Sequence, residues 1–224
     1  MNKAKSTVWT LCCVLAIGLA ACDRLPGFAP TPTRRVSVRP TPTAPVASIA
    51  DVILRPEDFP NSFRTAQPEQ QLFTPGEPIG DWPIEAGFTF ERISEDPELI
   101  AGFTLRVPDP IDRAAFDLAM LADAETLASV FAGEMTGDVL SSSELPGMKQ
   151  VGDASAGATI LYTLDGETWR AEIVGFRRRD IVAWVFALHL EGRLPLMPVN
   201  ALVHKLAERA QRLVSSERAT SASD

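Results

Sequence analysis

The chain has 224 residues, 46% of them hydrophobic and 22% charged, with three cysteines and a formal net charge of -8. That length and apolar content suffice for one sizeable core, and the acidic balance excludes nucleic acid as an electrostatic partner. Three cysteines, two of them adjacent at Cys12 and Cys13, exclude a disulfide-stapled scaffold.

The first residues read as a secretory signal: Lys3 and Lys5, an uncharged segment from Thr7 to Leu19 with its apolar run at Leu11 to Ile17, then small residues at Ala20 and Ala21. A spanning helix needs about 20 predominantly apolar residues, so removal is expected rather than retention. Leu19, Ala20, Ala21 and Cys22 resemble, position for position, the lipobox of bacterial lipoproteins. The resemblance implies that residues 1–21 leave as a lipoprotein signal peptide, with Leu19, Ala20 and Ala21 recognised by the peptidase. It also implies that the Cys22 thiol carries a diacylglyceryl group, and in that family the new amino group is often acylated as well.

The membrane is then a partner through the lipid on Cys22, at its extracytoplasmic face. In that family an aspartate after the cysteine favours inner-membrane retention in some two-membrane bacteria, and Asp23 stands there. The chemistry suits cysteine, whose thiolate is the nucleophile for a thioether. Each buried CH2 contributes about 0.8 kcal/mol, so one chain holds a protein marginally and several hold it stably. Two alternatives remain open from the residues alone: cleavage at Gly18 to Ala20, leaving Cys22 a free thiol, or an uncleaved anchor. Loss of the signal takes Cys12, Cys13 and two lysines with it, leaving 19 basic against 29 acidic residues, a charge of -10.

Residues 22–48 are rich in Pro, Thr and Ser, with almost no periodic apolar pattern, and read as a tether. Extended at about 3.1 Å per residue, it reaches roughly 80 Å. Arg34, Arg35 and Arg39 are too sparse for a strong lipid-binding patch.

A single globular domain is expected over residues 49–218, starting near Ile49 or Val52, with a frayed tail at 219–224. Pro56 and Pro60 break the first apolar stretch into a short strand or helical turn and a loop. Thr74 to Pro83 is dense in Pro and Gly and reads as a surface loop with Trp82 folded inward. Residues 88–93 and 102–107 alternate as strands do. Asp109-Pro110 then looks like an N-cap and first helical position, with Ile111, Ala114, Leu118 and Leu121 at helical spacing. A second helical start at Asp123 carries Leu127, Val130, Phe131 and Met135 on one face; one broken helix or two both fit. Met120 and Met135 read as core filler.

Further on, Asp165-Gly166 between two β-rich runs predicts a hairpin. After a reversal at Arg178 to Asp180, the run at 181–190 is apolar on both faces and reads as a central strand. Val199, Leu202, Val203, Leu206, Ala210, Leu213 and Val214 share one helical stripe. The expected class is α+β: an antiparallel β-sheet flanked by helices, with the C-terminal amphipathic helix packed on it.

Chemistry-bearing constellations are scarce. Residues 153–157, "DASAG", have Asp153 where the nucleophile elbow of a serine hydrolase needs glycine. His189 lies in an apolar strand, where a hydrogen-bonded structural histidine is expected, and His204 lies off its helix's apolar stripe. No catalytic residue, no metal site and no cofactor is assigned. Arg177, Arg178 and Arg179 form the one dense positive patch, read as a solvated turn with anion binding as the alternative. Arg170 and Glu172 share a face with Val174 and Phe176, as a charge pair at the end of a sheet would.

"LRPEDFP" at 54–60, "VGD" at 151–153, "FRR" at 176–178 and the closing helix with Leu206, Ala207, Arg212 and Leu213 together resemble small bacterial lipoproteins carrying a sensor-like or PsbP-like domain. That resemblance implies an antiparallel sheet flanked by helices and a binding role, with no shared catalytic residues. A ligand-binding or sensor-like module is therefore expected, its groove near Trp82, Trp169 or Trp184. An envelope protein-protein interaction module is the alternative, and a hydrolase a more distant one.

Overall fold

In the computed structural model the described residues are 48–79, 81–121, 124–126 and 138–221. Leu19 to Cys22, the tether and the stretch containing Leu127, Val130, Phe131 and Met135 lie outside them.

The strands are β1 (Arg64–Thr65), β2 (Pro78–Ile79), β3 (Trp82–Pro83), β4 (Ala86–Arg92), β5 (Glu98–Arg106), β6 (Asp138–Glu144), β7 (Ala154–Leu164), β8 (Glu167–Arg178) and β9 (Ile181–Leu190). The helices are α1 (Pro110–Ala119) and α2 (Val199–Ser221). Seven strands form one sheet in the order β1-β4-β5-β9-β8-β7-β6, every neighbouring pair antiparallel. The architecture is α+β, with β9 in the middle position, as its two apolar faces require.

The hairpin turn between β7 and β8 places Asp165 and Gly166 at φ 52° and 83°, the pair of positive angles that suits a two-residue turn to the strands' twist. The reversal between β8 and β9 turns on Arg179 at φ 57°. Both turns hold long strands in register, so Ser155 opposes Phe176 and Arg170 opposes His189.

One face of the sheet receives α2. Val199, Leu202, Val203, Leu206, Ala210, Leu213 and Val214 are all buried, against Val174, Phe176, Ala183 and Val185. Full burial of such side chains is worth about 1.5–3 kcal/mol each, which is why the stripe fixes the helix to this face. The N-terminal segment, with single 3-10 turns at Ile49–Asp51 and Pro56–Asp58, packs beside α2 over β4 and β5 and buries Ile49, Val52, Leu54 and Phe59.

The other face carries α1, whose N-cap Asp109 accepts a hydrogen bond from Ile111 N at 2.7 Å. The helix buries Phe116 and Met120 against Trp184 and its neighbours, the latter as expected for core filler. Its other apolar residues point outward: Ile111 is 79% exposed, Leu118 71% and Leu121 81%. The 111-118-121 spacing therefore marks a real helical stripe, but on the solvent side. Thr74 to Pro83 is not wholly loop, since β2 and β3 pair within it, Ile79 opposite Trp82.

Candidate functional site

Three places gather side chains that could do more than fill the core. The first is the polar end of the α2 face. Glu98 on β5, His189 on β9 and Arg170 on β8 are register partners in one row, with Glu172 and Ala187 in the next. Glu98 is buried; its Oε1 sits 3.0 Å from the Arg92 guanidinium and accepts the Leu196 N-H at 2.8 Å, tying the loop before α2 to the sheet. Arg170 makes a bidentate pair with Glu191, at 2.6 and 2.8 Å, rather than with Glu172.

His189 is 4% exposed, with Nδ1 3.0 Å from the Leu190 carbonyl oxygen. That contact puts the proton on Nδ1, leaving Nε2 a buried acceptor without a hydrogen-bond partner. Burial pushes the Glu172 carboxyl above the usual carboxylate range, opposed by His189 and Arg170 and reinforced by Glu191. The row is a structural cluster that leaves two buried nitrogens without a hydrogen-bond partner, His189 Nε2 and Arg92 Nε. Ser155 is not part of it: six residues along β7 from Leu161, the residue level with His189, it lies about 20 Å away. Its hydroxyl instead bonds Met148 O and Val151 N, bracing the turn at Met148–Gln150. His204 is exposed on α2, as its position off the stripe implies. Among the described residues no three His, Cys, Asp or Glu side chains are grouped as metal ligands.

The second place is the arginine turn. Arg177 pairs bidentately with Asp117 of α1 at 2.6 and 2.7 Å and also meets Asp153, while Arg178 donates to Gln211 Oε1 and to the Val151 carbonyl. The hydrogen bond that Arg177 donates to Asp117 holds the Arg177 pKa above its ordinary value. Two of the three guanidiniums thus clamp α1 and α2 to the sheet, and the third, on Arg179, is exposed.

The third is a groove of about 390 Å³ at the sheet's β4 edge. Because β1 spans only Arg64–Thr65, opposite Glu91 and Phe90, the rest of β4's outer edge has no strand beside it. The groove opens there, between Ile53 to Pro56 on one side and the 65–75 segment on the other, floored by Gly87 to Phe90. Gly87 is required: a Cβ there would collide with the Phe73 carbonyl oxygen. The walls are braced, Phe73 lying 4.8 Å from Phe103 and 5.1 Å from Phe186 between ring centroids, and Phe90 4.3 Å from Phe59. Three polar groups on the lining are engaged within the fold: Thr89 Oγ1 accepts the Leu72 N-H, Gln71 Nε2 donates to Ala66 O, and the Arg55 guanidinium pairs with Asp51 at 2.8 Å.

Trp82, Trp169 and Trp184 do not line this groove. They lie on the α1 side of the sheet, Trp82 and Trp184 beside the cluster under α1 and Trp169 against Ile160 and its neighbours. Sequence reasoning missed the groove because its shape follows from a short strand pairing, which no motif announces. The one available signal was the density of proline at 56, 60, 68 and 75, which keeps that flank from continuing the sheet. No family model, no curated protein and no solved structure matches the chain.

Proposed function

We propose that the protein is a lipid-anchored extracytoplasmic binding module whose β4-edge groove takes a small apolar or amphipathic molecule. The observation that carries this reading is the groove itself. Its volume falls in the usual range for small-molecule sites, its walls are mostly apolar and braced by ring contacts, and Thr89, Gln71 and Arg55 on its lining are engaged within the fold. Such a site rewards apolar contact and offers few directional bonds. The lipobox at Leu19 to Cys22 supports the anchor.

A second reading, docking of another envelope protein, is favoured by α1's outward stripe of Ile111, Leu118 and Leu121, flanked by the acidic Asp109 and Asp112. The partner would present an apolar strip with basic flanks.

Titration of the full chain with the apolar fluorophore N-phenyl-1-naphthylamine distinguishes the two surfaces. Thr65 lies on the groove's exposed rim, so Thr65→Trp should fill the opening and weaken saturable binding at least tenfold, while Leu118→Asp leaves it unchanged. Binding that resists Thr65→Trp and disappears in Leu118→Asp would sink the groove reading and leave the α1 stripe as the recognition surface.

A further inference from the structure

We propose that the outer edge of β6 is a docking strand for the chain's own tether, residues 33–39, which add to the sheet as an eighth strand. β6 ends the sheet, pairing only with β7, and all but one of its residues are exposed, Val139 and Leu140 among them. Among the described residues nothing pairs with its far side. Its pairing with β7 shifts register between Val139 and Ser141, but the regular stretch from Ser141 to Glu144 has neither proline nor lysine, and an edge of that kind recruits another strand through backbone hydrogen bonds. Its charged positions are acidic and at the ends, Asp138 and Glu144, the latter 2.9 Å from Lys149.

The tether holds a segment of matching length and opposite charge. Residues 33–39, "TRRVSVR", are the longest proline-free run between Cys22 and Ser48, bounded by Pro32 and Pro40. Val36 and Val38 alternate with polar residues as strand residues do, and Arg34, Arg35 and Arg39 sit towards the two ends. Basic ends against acidic ends favour pairing. The balance of the whole chain points the same way. Residues 22–48 carry four basic and one acidic residue, +3, whereas residues from Ile49 onward carry 15 basic and 28 acidic, -13.

The reach is close to the distance needed. An added strand lies one position beyond β6, so the turn after Ser48, which packs over β4 and β5, is five to six strand positions from it, about 24–29 Å at 4.8 Å per position. The nine steps from Arg39 to Ser48 span about 28 Å when extended as polyproline II. Tethering also gives the segment an effective concentration on the order of millimolar, which a separate peptide lacks. A second copy is a poorer occupant, because antiparallel pairing of two β6 edges centred on Ser141 sets Asp138 against Glu144 at both ends.

Hydrogen exchange of the full chain, isolated from the membranes of expressing cells, tests the assignment. In the wild type, residues 34–38 should exchange at least tenfold slower than an unstructured peptide. Val36→Pro, which changes the tether alone, should accelerate the outward amides of β6 by a similar factor, and Arg34→Glu with Arg35→Glu and Arg39→Glu should do the same. Tether amides exchanging at the unstructured rate would overturn the proposal. So would β6 amides indifferent to both variants, or β6 protection that rises with protein concentration, which would assign the edge to a second copy.

Discussion

Glu172 shows how one side chain can oppose the fold that holds it. Its carboxyl is pushed up by burial, so the folded state binds its proton more tightly than the unfolded chain does. The sign follows from linkage: Glu172 leaves stability unaffected below its unfolded value, and its ionisation lowers stability as pH rises from there through the raised folded value. Glu172→Gln should therefore raise the melting temperature at pH 7 to 8, with the gain shrinking towards zero near pH 4. Thermal melts across that range check it; a variant less stable than wild type at pH 8 would mean that the ionised carboxylate is favourably held. Glu191 behaves oppositely, since the Arg170 hydrogen bond lowers its pKa, but its solvent exposure makes its contribution small. At the same scale, Arg177 and Arg178 show why charge runs mislead: three consecutive arginines look like a binding patch, and two of them serve as clamps.

Among the elements, the N-terminal segment and α2 are joined by one buried ion pair. Arg209 meets both Asp58 oxygens, at 2.8 and 2.9 Å, and also donates to the Ile53 carbonyl, with both side chains about nine-tenths buried. Asp58→Ala leaves the guanidinium buried without its counter-charge, a loss of about 3–5 kcal/mol. Urea denaturation should show that loss, and tryptic cleavage should quicken at Arg64, which follows the segment that Asp58 holds down. Adding Arg209→Met should restore part of it; no recovery would mean that the pair is not what holds the segment. Asp58 and Arg209 lie 151 residues apart, and nothing local in the sequence joins them. What was legible is what local physics decides: the Asp165-Gly166 turn, the two-faced apolar run of β9, the Asp109 cap and the stripe of α2. The outward face of α1 was not, because periodicity reports that a stripe exists without saying which side meets the sheet. β6 escaped notice for a related reason, its "DVLSSSE" alternating too weakly to stand out as a strand.

For the molecule as a whole, the anchoring proposal rests on Cys22 and on an argument from charge. On that proposal the chain without its signal would carry -10, concentrated in the domain from Ile49 onward, so anionic head groups would repel it and attachment would fall to the acyl chains. No helix among the described residues is long and apolar enough to cross a membrane. Cys22→Ala should therefore shift the protein from the membrane fraction to the soluble extracytoplasmic fraction and abolish labelling by a fatty-acid probe. Release should be complete and insensitive to salt, since no electrostatic contact is left to screen. Partial retention that vanishes at high salt would instead assign attachment to the tether's arginines. Retention at all salt concentrations would place a second apolar contact on the membrane, and the exposed stripe of Ile111, Leu118 and Leu121 is the surface that Leu118→Asp would then remove.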